Sequence, residues 1–178
     1  RPAPVRITDE LPLDFNEVKA DAQSRRMGAA PNKIGFHVGI DGNREGLIES
    51  ITEMDAVGIP VFLKTANDAE PLYITQELMK LSGVPHNLVY RDVSAGIHES
   101  DYLMSPVEAA LENWQLNVDV FPPELDPSLV WLETINEPDK NRAQWLAEFS
   151  LAQAKMAVAA GYKYAAFGWS SGEPELEQ

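Results

Sequence analysis

The chain has 178 residues, 44% of them hydrophobic and 24% charged, which is enough for one sizeable core. A net charge of −14 argues against a nucleic-acid partner, whose phosphates select basic surfaces, and against docking on an anionic membrane. Cysteine is absent, so disulfides and thiolate metal sites are excluded, and no apolar run approaches the roughly 18 residues that span a bilayer.

The first residue is Arg1 rather than Met, which predicts a processed, excised or renumbered piece. Residues 1–32 read as a linker or extension. Pro2 and Pro4 prevent regular structure at its start, and a short helix is predicted over 15–27. Residues 33–178 read as one domain. Its first strand, 34–40, alternates Ile34, Phe36, Val38 and Ile40 on one face with Gly35, His37 and Gly39 on the other. An amphipathic helix follows over 45–57, with Leu47, Ile48, Ile51 and Met54 in one stripe.

The second strand is predicted at 59–65, the second helix at 69–81 and the third strand at 85–91. A long polar loop, 92–102, leads to Ser105-Pro106, which has the N-cap and first-turn chemistry of a helix start. That helix carries Val107, Ala110, Leu111 and Trp114. The fourth strand is predicted at 129–135, an Ala-rich helix at 143–160, the fifth strand at 164–169 and an acidic tail at 173–178. Strands that alternate with helices predict a parallel α/β sheet with right-handed crossovers. An open doubly wound sheet shares this local grammar. A dinucleotide fold is disfavoured, since no Gly-x-Gly-x-x-Gly follows the first strand.

The most informative stretch is Val130-Trp131-Leu132-Glu133-Thr134-Ile135-Asn136-Glu137-Pro138, a buried strand that ends in Asn-Glu-Pro. A carboxylate at the C-terminal end of a parallel strand stands where (β/α)₈ enzymes keep their chemistry. The motif, with a Glu four residues before Glu137, resembles the fourth strand of the TIM-barrel glycoside hydrolase superfamily, the retaining clan of cellulases, mannanases and β-galactosidases. The resemblance implies a (β/α)₈ barrel acting on a polysaccharide or oligosaccharide, with Glu137 as general acid/base and Asn136 bonded to the sugar 2-hydroxyl. It also implies a Glu133 lying inside the barrel beneath the acid, and extracellular placement follows only from the enzyme class.

An interior Glu133 needs partners, and Lys64 and Arg91 near the ends of strands two and three are the candidates. On a regular strand Glu133 and Glu137 share one face. His37, Lys64, Asn67, Asp68, Arg91 and Asp92 gather near the strand ends, where barrel substrate residues occur. Trp169 is a candidate for stacking on a sugar ring, and Glu173 for binding a hydroxyl. His37, His86 and His98 lack a His-x-x-x-His spacing, so no zinc site is predicted; the chemistry calls for no metal or organic cofactor. His86, at the start of its strand, reads as structural.

A complete barrel needs roughly 250 residues, and the family's nucleophile is a Glu after strand seven. Only five βα units are legible here, so the expected partner, besides carbohydrate, is the missing C-terminal half of the barrel. Two rivals stay open. One is a non-catalytic carbohydrate-binding or structural module on a partial barrel. The other is a lyase or aldolase that uses Lys64 as a Schiff base, which requires a dry pocket around the amine.

Overall fold

The computed structural model describes residues 35–40, 42–94 and 96–169. The predicted linker, its helix at 15–27, and Glu173 with the acidic tail lie outside these residues. Five strands, β1 (Gly35–Val38), β2 (Phe62–Ala66), β3 (Asn87–Arg91), β4 (Val130–Asn136) and β5 (Lys163–Gly168), alternate with four helices. The helices are α1 (Leu47–Ala56), α2 (Glu70–Ser82), α3 (Pro106–Val120) and α4 (Ala143–Ala160), the last preceded by a 3₁₀ turn at Lys140–Arg142.

Every strand pairs in parallel with the next, in the order β1-β2-β3-β4-β5. The chain is thus α/β with a parallel sheet. Strand order never reverses among the described strands, so they contain no switch point of the kind that holds ligands in doubly wound sheets.

Local chemistry sets the element ends. The Ser105 hydroxyl oxygen accepts the Glu108 N–H at 3.4 Å and donates to the Glu108 carboxylate at 2.6 Å, which satisfies an orphan donor at the start of α3. Gly161, at φ 77°, closes α4 in a left-handed conformation that a side chain would resist. Strand β1 stops at Val38, earlier than predicted, and Ile40 beyond it is 61% exposed.

All four helices pack on one face of the sheet. Val38, Leu63, Leu88, Tyr90, Val130 and Leu132 from the strands meet Leu47 and Ile51 of α1, Leu72 of α2, Trp114 of α3 and Ala157 of α4. Each fully buried aliphatic side chain here contributes about 1.5–3 kcal/mol. A second cluster joins Ile135 of β4 to Ala109, Ala110 and Phe149.

At the N-terminal edge of the sheet, His86 Nδ1 accepts the Val61 N–H at 3.0 Å. The ring proton therefore sits on Nε2, which donates to Asp55 at 2.9 Å. The Ser82 hydroxyl donates to the same oxygen at 2.7 Å. These bonds tie α1, α2 and the start of β3 together at the edge remote from the Asn-Glu-Pro turn.

The opposite face carries His37, Lys64, Arg91 and Glu133, and none of the described helices covers it. Phe62 on this face is 44% exposed.

Candidate functional site

Because strand side chains alternate, His37, Lys64, Arg91 and Glu133 all emerge on the uncovered face, near the C-terminal ends of their strands. His37 and Lys64 are register partners. Lys64 Nζ reaches across β3 to Glu133, 2.7 Å from Oε1 and 2.6 Å from Oε2. Arg91 Nη1 donates to Glu133 Oε1 at 3.0 Å. The predicted pairing of Glu133 with Lys64 and Arg91 is therefore present. The three side chains are 15%, 10% and 5% exposed for Lys64, Arg91 and Glu133, so the ion pairs are largely withdrawn from water.

The end of β4 departs from a regular strand. The Thr134 hydroxyl donates to Gln153 on α4 at 2.6 Å, and Ile135 packs on Phe149. Two successive side chains thus face the helices, and the alternation slips by one. Asn136, rather than Glu137, returns to the face of Glu133, where its Oδ1 accepts a short hydrogen bond from Arg91 Nη1. The expectation that Glu133 and Glu137 share a face is corrected by this irregularity.

Glu137 follows at φ 46°, left-handed and not a glycine. Its N–H donates to the Gly168 carbonyl at 2.7 Å, which fixes the turn against β5. Its side chain is exposed, and its carboxylate makes no hydrogen bond or ion pair among the described residues. It borders a recess of about 380 Å³ with His98, Ser100, Tyr102, Asn136 and Asp139. The loop between β3 and α3 is bound to this turn. The Asn136 N–H donates to the His98 carbonyl at 3.2 Å, and the Asp139 N–H donates to the Tyr102 hydroxyl oxygen at 2.9 Å.

Gly168, on β5, is a site residue that the sequence pattern did not flag. A β-carbon there would lie 2.5 Å from Glu133 Oε1, 2.9 Å from Asn136 Oδ1 and 3.0 Å from Lys64 Nζ. A methyl there would force the ends of these side chains to shift within the charged cluster. His37 is exposed, and its pKa is lowered from the ordinary 6.5, first by partial burial and then by the positive Lys64 and Arg91; Glu133 opposes them.

Two predicted substrate residues stand apart from this cluster. Asn67, at φ 59°, spends its side-chain oxygen on the Val93 N–H at 2.6 Å, and its own N–H donates to the Arg91 carbonyl. It ties the β2 and β3 exits together. Trp169 meets the Phe167 ring edge-on at 5.9 Å and does not border the recess beside Glu137. His98 and Tyr102 do border it; the sequence weighed His98 only as a zinc ligand and did not single out Tyr102. Tyr102 left a signal, as an aromatic closing a polar loop just before a helix start.

No family model, curated protein or solved structure matches this chain. What the site can do chemically is read from its residues. It offers a strand-tip carboxylate unpaired among the described residues, one clamped carboxamide, and a cationic pair that shares a buried carboxylate. No group of three or more metal-ligating side chains occurs among the described residues.

Proposed function

We propose that the chain is the N-terminal part of a (β/α)₈ barrel that binds and cleaves a polysaccharide or oligosaccharide. Three features support a barrel: sequential parallel strands, helices on one face only, and a polar cluster on the bare face near the C-terminal strand ends. The observation that carries the activity is Glu137 itself. A left-handed backbone at a non-glycine residue costs about 1 kcal/mol or more, and such residues concentrate at functional sites. Its carboxylate contributes no described contact to the fold.

In this reading Glu137 protonates the departing glycosidic oxygen and then activates the incoming water. Asn136 is pre-oriented for its role. Arg91 can only donate, so it holds the carboxamide oxygen and leaves Nδ2 as the donor toward a sugar 2-hydroxyl. Glu133, pinned by two cations, positions Arg91 and Lys64. The nucleophile then comes from another strand tip, in the C-terminal half of the barrel.

The test is Glu137→Gln in the full-length protein, assayed on a panel of β-linked oligosaccharides. Hydrolysis falls by about 10²–10⁴-fold, with the thermal midpoint preserved. An unchanged rate removes Glu137 from the mechanism. A second reading, a carbohydrate-binding module without turnover, is favoured by the commitment of Glu133 to Lys64 and Arg91, which leaves no second free carboxylate beside Glu137 among the described residues of the site. Saccharide binding by a wild-type protein that shows no hydrolysis would select it.

A further inference from the structure

Among the described residues, the cluster on the bare face is not electrically balanced. Lys64 and Arg91 bring two positive charges, and Glu133 is the one carboxylate within ion-pair distance of them among the described residues. An excess positive charge in a site so far withdrawn from water is costly unless an anion answers it. Arg91 is also half used. Its Nη1 serves both Glu133 and Asn136, while its Nε is buried without a hydrogen-bond partner. Beside these groups Gly168 contributes no side chain, and the exposed His37 ring stands at the margin, in register with Lys64.

We propose that this cluster recognises a carboxylate on the ligand, so that the saccharide taken by the site is acidic and contains a uronic acid. The proposal rests on the sugar reading above and names its substrate class. A carboxylate carries the single negative charge that is lacking, and its planar pair of oxygens suits a guanidinium and an ammonium side by side. A neutral sugar would leave the excess charge unanswered.

The probes are a β-linked glucuronate-containing disaccharide, its methyl ester and succinate, titrated calorimetrically into the wild-type protein at low and high salt. The acid is expected to bind about tenfold or more tightly than the ester, an advantage that shrinks as salt rises. Lys64→Met, which brings the charge count to zero, should erase most of that preference. Equal affinities for acid and ester would overturn the carboxylate proposal while leaving the sugar reading standing. Succinate binding as tightly as the disaccharide would retain an anion site and overturn the saccharide part. Binding of none of the three would overturn the proposal outright, and the sugar reading would then be judged by the neutral oligosaccharide panel.

Discussion

Removing the anion of the Lys64–Glu133–Arg91 cluster should cost far more than removing a cation. Glu133→Gln keeps the volume but leaves two positive charges facing each other, with side chains only 15% and 10% exposed. Breaking a buried pair from one side costs about 3–5 kcal/mol, and the partial exposure of Lys64 favours the lower end, about 3 kcal/mol. For a chain of this size that lowers the thermal midpoint by about 6–12 °C and the urea midpoint by about 1 M. Lys64→Met instead leaves one cation on one carboxylate, a balanced pair still closed by the 3.0 Å Arg91–Glu133 bond. Its cost should be about 1 kcal/mol or less. Urea denaturation of both variants, followed by circular dichroism, measures the asymmetry. If Lys64→Met is the more damaging change, or if Glu133→Gln stays within about 1 kcal/mol of wild type, the cluster is not the charge-excess site described here.

Other outcomes follow from the same geometry. Gly168→Ala would push a methyl into the Glu133 carboxylate and should destabilise by about 1–3 kcal/mol; a variant as stable as wild type on denaturation would show that the cluster has slack. Combined with Glu133→Ala, which clears the nearest clashing atom, the glycine replacement should cost less than it does alone. The His37 pKa should rise toward its ordinary value in Lys64→Met, read by NMR titration of the imidazole, since a repelling charge has gone while Glu133 remains. In the wild type the depressed pKa means that the folded state binds this proton less readily than the unfolded chain. The stability His37 contributes is therefore present above 6.5 and is lost as pH falls through the folded value. A fall in the His37 pKa, or no change, would contradict the positive field assigned to Lys64.

The elements were legible wherever one rule governed them. Alternation found β1, because a sheet with helices on one face needs apolar residues at every second position, and the rhythm of strand and helix placed β2 to β5. Ser105 and Gly161 marked helix ends because unpaired backbone groups require those chemistries. The Glu133 pairing was legible because a buried carboxylate needs cations and few were near strand ends. The last residues of β4 were not. A period of two extrapolated from Glu133 lands on Glu137, yet Thr134 and Ile135 both turn to the helices, and Asn136 takes the place. That slip depends on Phe149 and Gln153 on the following helix, the latter 19 residues from Thr134 and invisible to a local pattern. Gly168 was illegible for a related reason: its need for a bare α-carbon arises only when β5 lies beside three side chains from β2 and β4. The loop-tying bonds of Asn67 were not legible, because strand-end polar residues serve loop geometry as readily as ligands.

The twisted backbone at position 137 sets selection for stability against selection for chemistry. Glycine would relax the φ of 46° and forfeit no side-chain bond seen among the described residues. A lineage kept only for a robust fold would drift toward glycine at that turn. On the reading proposed above, that strain is borne for the sake of the carboxylate.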